Sequence, residues 1–188
     1  GSVSISRTAR TFPAYLIFKS GMFITSILLI QYWRANNKLI QTINSDFSKN
    51  KYFLFFGVGS AVFLFIHSLL LGIKFDLELY KFFRRFVLLA FIIFELTAQA
   101  LLLNSIIKIK SRIAEMINEK ILILKICVVA VLIIIGVLSL PILTSSGHVH
   151  FKHALEWNYF LGIIAFYLFT FLFWRKKNKP SVHTPEGV

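Results

Sequence analysis

Charge is scarce in this chain. Lys, Arg, Asp and Glu together make up 15% of its 188 residues, and they gather between long apolar runs. A bilayer imposes that arrangement, because an ion near its centre costs several kcal/mol. The single cysteine, Cys127, lies inside an apolar run and leaves no intrachain disulfide and no thiolate metal site. There is no Walker loop, Rossmann glycine pattern, nucleophile elbow or haem-type Cys motif, and no retinal-type lysine in the last apolar run. The common energy-coupling and redox chemistries therefore lack support, and neither a cofactor nor a metal is expected.

What the chain has in quantity is apolar surface, with 57% hydrophobic and 16% aromatic residues. That much cannot face water without aggregation, so lipid must be the main solvent. Five windows reach the length of about 20 residues that a bilayer requires. They run over about 12–33, 52–73, 86–107, 121–143 and 155–174, and the segments between them are too short to fold alone. The expected fold is all-α, one integral membrane bundle of five helices over 1–176, followed by a flexible cytoplasmic tail at 177–188 with two prolines.

The net charge of +13 does not point to nucleic acid, since the basic residues form short clusters at span ends and no continuous face. They act as orientation signals. Arg34, Lys38, Lys49, Lys51, Lys108, Lys110, Arg112, Lys120, Arg175, Lys176, Lys177 and Lys179 fall on one side, twelve against seven on the other (Arg7, Arg10, Lys74, Lys81, Arg84, Arg85 and Lys152). Lys19 and Lys125 lie inside spans near their ends, where a long side chain can snorkel. The positive-inside rule then places the carboxyl terminus in the cytoplasm and Gly1 outside. The leading Gly-Ser has the look of a processing scar. An external amino terminus without a signal implies a preceding helix, hence six spans in the parent.

Polar residues inside the spans are the first site candidates. Gly57, Ser60, Ala61, His67 and Ser68 share one helical face, and Glu95 and Gln99, four residues apart, share another. Small residues allow close helix approach, and an intramembrane Glu or His demands a partner. His67, Glu95 and Gln99 are thus expected to form a polar seam, bonded to one another or open to a lipid or ligand. A second candidate is the loop and helix start holding His148, His150, His153, Glu156 and Trp157. Imidazoles with a carboxylate can bind zinc and activate water, but this spacing fits no strong zinc signature. Helix capping, lipid-headgroup contact and pH sensing are the alternatives. Glu156 in the first turn would gain about 0.3–1 kcal/mol from the helix dipole. Paired with His150 or His153, it would make the loop respond between roughly pH 5 and 7. Trp33, Trp157 and Trp174, with Tyr32, Tyr52, Tyr80 and Tyr159, read as an interfacial aromatic belt.

Two stretches carry a resemblance. VSISRTARTFPAYLIFKSGMFITSILLIQYWRANNKL is similar to a segment of the membrane family uniting the damage-regulated autophagy modulators, the FGF-receptor-activating-type proteins and the yeast suppressor-of-four-kinase type. Those proteins have an Ile-Ser-x-Thr-Gly-like stretch, a Pro, and then the second of six helices. Ile5, Ser6, Thr8 and Pro13 match, whereas Arg7, Ala9 and Ala14 stand where an acidic residue, a Gly and an acidic residue are usual. HVHFKHALEWNYFLGIIAFYLFTFLFW resembles the family's last luminal loop and helix through His150 or His153, Glu156, Trp157, Tyr167, Thr170 and Phe171. The resemblance implies the orientation that the basic residues gave. It also implies a setting in autophagy, in remodelling of glycosylphosphatidylinositol anchors, or in support of phosphatidylinositol-kinase complexes and lipid asymmetry. No single activity transfers. The expected function is non-catalytic, engaging membrane lipids or organising a membrane complex. The rivals are a lipid-remodelling enzyme using the exoplasmic His/Glu cluster, and an accessory subunit beside other membrane-protein subunits.

Overall fold

The computed structural model describes residues 12–43, 52–71, 73, 77–144 and 149–174, with the backbone alone at 81, 139–144, 149, 152, 153 and 156. Five helices carry nearly all of it: α1 Ala14–Ile43, α2 Tyr52–Leu70, α3 Glu78–Lys108, α4 Glu119–Thr144 and α5 Val149–Phe173. The chain is an all-α helical membrane bundle. Four of the helices are long and apolar enough to cross a bilayer, and the apolar part of α5, Trp157–Phe173, is shorter. The expected tail at 177–188 lies outside the described residues.

Each expected span falls mainly on one helix; the second overshoots its helix, which ends at Leu70, while three helices run well past their apolar windows. α1 continues ten residues past Trp33 because Ile40 prolongs its inward stripe of Ser26, Leu29 and Trp33. α3 begins eight residues before Phe86 and includes Arg84 and Arg85. α5 begins at Val149, ahead of the expected start at Leu155. Apolar windows measure lipid thickness, whereas helices end where backbone capping ends them. Pro141 stands in the last turn of α4, which closes three residues later at Thr144.

α2 packs most extensively on α3 and next on α1, while α4 pairs with α5 and touches α3 over a smaller area. The inward stripe of α2 is Phe53, Gly57, Ser60, Ala61, Leu64 and Ser68, at the spacing of one helical face. A β-carbon on Gly57 would collide with the Trp33 ring, so its absence lets α1 and α2 close on the indole. Gly162 does the same for α5 against α4, where a β-carbon would stand 2.6 Å from Leu132.

Between α3 and α4 a one-turn helix, Lys110–Ile113, and a 3-10 turn, Ala114–Met116, bury Ile109, Ile113 and Ile117 under the bundle. Asn118 caps α4, its Oδ1 accepting from Lys120 N at 3.1 Å. Its backbone N–H donates to Phe173 O at 3.0 Å, and Ile117 bridges to Trp174. The end of α5 is thereby clasped to the start of α4. Lys110 and Glu119 form a 3.0 Å ion pair here, exposed enough to contribute little.

Candidate functional site

Among the described residues, the bundle interior holds one acid and one ammonium-type base, Glu95 and Lys125, both wholly buried. Glu95 sits at the middle of α3, within the stripe of Phe91, Ala98 and Leu102 that faces the neighbouring helices. Ser60 Oγ donates to its Oε2 at 2.6 Å from α2, and Gln99 Nε2 donates to its Oε1 at 2.7 Å from one turn along α3. The phenol of Tyr167 on α5 donates to the same Oε1. The Trp33 indole N–H lies beside this carboxylate but outside hydrogen-bond geometry, and Gln99 Oε1 also lacks a partner.

Lys125 on α4 is the base. Its Nζ donates to Thr170 Oγ1 at 3.0 Å and stands 4.4 Å from the Phe166 ring centroid and 5.2 Å from that of Phe173. The two ring faces supply cation–π attraction in place of a carboxylate. Thr170 Oγ1 also accepts from Tyr32 OH of α1 at 3.3 Å, and its own hydroxyl donates to Phe166 O at 2.9 Å. The Tyr32 and Tyr167 rings meet edge to face at 5.0 Å, so the acid and base clusters share a wall. Four helices plus α2 thus converge on one polar core inside an apolar bundle.

The seam expected from His67, Glu95 and Gln99 is met in one pair. Glu95 and Gln99 are hydrogen-bonded, whereas His67 is half-buried about two turns along α2 from Ser60, with a partnerless Nδ1. Lys125 does not snorkel. It points into the bundle, because Leu122, Lys125, Val129 and Leu132 form the buried stripe of α4. Trp33 does not belong to an interfacial belt. It is fully buried against Phe53 and Tyr32, because α1 runs on beyond it. Tyr52, at the start of α2, and Trp157, about two turns into α5, are exposed, as a belt residue would be.

Of the outer cluster, the described side chains are those of His150 and Trp157. His150 is exposed in the first turn of α5 and Trp157 lies edge-on to Phe160. His153 and Glu156 are one turn apart on the backbone of α5, and His148 lies outside the described residues. Glu156 is eight residues into α5, past the first turn, so the expected dipole stabilisation does not apply to it.

A shallow furrow runs along the outside of α2, lined by Leu54, Phe55, Val58, Gly59, Val62 and Phe63. It is almost wholly apolar. Phe94 of α3 closes its floor against Phe55, Phe56 and Phe63, at ring separations of 6.4, 5.2 and 5.1 Å. From Leu54 to Phe63 the helix rises about 14 Å, the scale of much of an acyl chain.

No protein-family model, curated protein or solved structure matches this chain. The site therefore stands on its own geometry.

Sequence reasoning missed Ser60, Tyr167, Thr170 and Lys125 as partners of one core. α4 is apolar on every side, so nothing in its pattern marks the inward face. A signal existed for α5: Tyr167 and Thr170 are one turn apart and are the hydroxyls nearest the middle of its apolar run.

Proposed function

We propose that this protein is a non-catalytic, multi-pass member of the autophagy-modulator-like membrane family that engages membrane lipids or organises a membrane complex. The observation that carries the reading is the division of its surface. Ser60, Glu95, Gln99, Lys125, Tyr167 and Thr170 turn inward onto one another, while the α2 furrow offers lipid an apolar channel with a glycine at its centre. A closed polar core suits a scaffold better than a substrate chamber. The family part draws support from Tyr167 and Thr170, two residues of the resemblance that both hydrogen-bond in the buried core.

The test is lipid retention. Protein purified in lipid-depleted detergent should keep a bound lipid detectable by native mass spectrometry, and Val62→Trp, which fills the furrow from an exposed position, should lose it. Equal retention by the variant, or no retained lipid in the wild type, removes the lipid reading. Isolation in fixed ratio with another membrane subunit would select the complex-organising role instead.

The same proposal includes the orientation, carboxyl terminus cytoplasmic and Gly1 exoplasmic, supported by twelve basic residues on one side against seven on the other. A tag placed after Val188 should be digested by protease added to the cytoplasmic face and protected from the exoplasmic one. The reverse pattern rejects the orientation.

A further inference from the structure

The contacts at Ser60 and Glu95 outnumber the hydrogens that an ionised carboxylate leaves for them. Ser60 owns one hydroxyl hydrogen but has two acceptors within reach, Gly57 O at 2.8 Å and Glu95 Oε2 at 2.6 Å. If Glu95 is ionised, one of these oxygen pairs has no hydrogen between its atoms, at a separation that only a hydrogen bond makes favourable. Inside a bundle that contact is costly. A hydrogen on Oε2 resolves it: the carboxyl then donates to Ser60, Ser60 donates to Gly57 O, and Oε1 still accepts from Gln99 and Tyr167. Every contact has its hydrogen, and the site is neutral.

The opposite state has supports as well. The partnerless Trp33 N–H is a further donor beside the carboxylate, and Lys125 is the buried cation of the same core. The titratable groups facing this core are Tyr32 from α1, Tyr167 from α5 and Lys125 from α4; α2 contributes Ser60, with His67 standing apart. The connection from Lys125 runs through Thr170 to Tyr32, across the edge-to-face ring pair to Tyr167, and on to Glu95.

We propose that Glu95 is an intramembrane proton-binding site whose occupancy is coupled to the charge of Lys125 in the same polar core. When Glu95 gains a proton and Lys125 loses one, a carboxylate and an ammonium become a carboxylic acid and an amine. No atom is gained or lost, and the pair has zero net charge in both states, which lets each exist inside a bilayer. Tyr32 O–H donates to Thr170 and Tyr167 O–H to Glu95, so the two phenols pass no hydrogen between them and the coupling is electrostatic. Ionisable residues buried in membrane helices characteristically bind protons at such sites.

The experiment is infrared spectroscopy of the full chain in lipid nanodiscs. At neutral pH the wild type should show a carboxylic-acid C=O stretch, shifted by Ser60→Ala and absent in the nearly isosteric Glu95→Gln. In Lys125→Met the band should survive into more alkaline buffer than in wild type, because the carboxylate has lost its buried counter-ion. A wild type without a band assignable to Glu95 overturns the proton site. Identical pH profiles in wild type and Lys125→Met, with both folded by thermal melting, overturn the coupling to Lys125.

Discussion

Trp33→Ala is expected to lower the stability of the purified protein by on the order of 2–3 kcal/mol in an SDS titration. Truncating a buried aromatic in a water-soluble core costs about 3–5 kcal/mol, of which part is transfer and part cavity. Lipid already shields apolar groups in the unpacked state, so the cavity part dominates here. It is large at this position because Trp33 is wholly buried and Gly57 offers no side chain to collapse into the gap. Gly57→Leu should do comparable damage from the other side, by forcing α1 and α2 apart. If Trp33→Ala melts like the wild type, α1 is not held to α2 in this way.

The second large effect is expected at Glu95. Glu95→Leu removes the acceptor of three groups on three helices and leaves Gln99 Nε2 and Tyr167 OH without partners, while Ser60 keeps Gly57 O. An unmade buried hydrogen bond costs about 1–3 kcal/mol in water-soluble proteins, and interhelical bonds in membranes average about 0.6 kcal/mol. With several groups affected, a loss of roughly 2 kcal/mol follows from those values. Asn104→Leu on the same helix is the comparison. Asn104 is exposed, and the change should stay within about 0.5 kcal/mol of wild type or stabilise the protein in lipid. Equal effects of the two substitutions would remove Glu95 from any special role.

The helices were legible because lipid demands long apolar runs, and each expected span lies on a helix. Their ends were not, because α1 past Trp33 is held by the inward Ile40 and α3 before Phe86 by Tyr80, whose hydroxyl donates to Leu70 O at 2.8 Å. Within the site, Glu95 and Gln99 could be paired from spacing alone, since four residues fix neighbours on a helix. Ser60 was visible as a small inward residue but not as a hydrogen-bond donor to Glu95. Lys125 was misplaced because a lysine near a span end can reach either way, and only the packing of α4 on α5 decides that it turns inward. Trp33 failed for a related reason: an indole at the edge of an apolar window belongs at the interface unless a facing glycine makes room for it.

Helix α2 packs broadly on both α1 and α3, and α4 with α5 form a second pair, clasped at Ile117 and Trp174, yet the area joining the two groups is small. Across that narrow join run Tyr167 to Glu95 and Tyr32 to Thr170. They work as a latch between two bodies. Any rocking of the α4–α5 pair away from the others must open both bonds together, and any change in the charge of Glu95 alters one jaw of the latch. A partner that pulled on the outside of α5 would thus strain a bond that ends on Glu95.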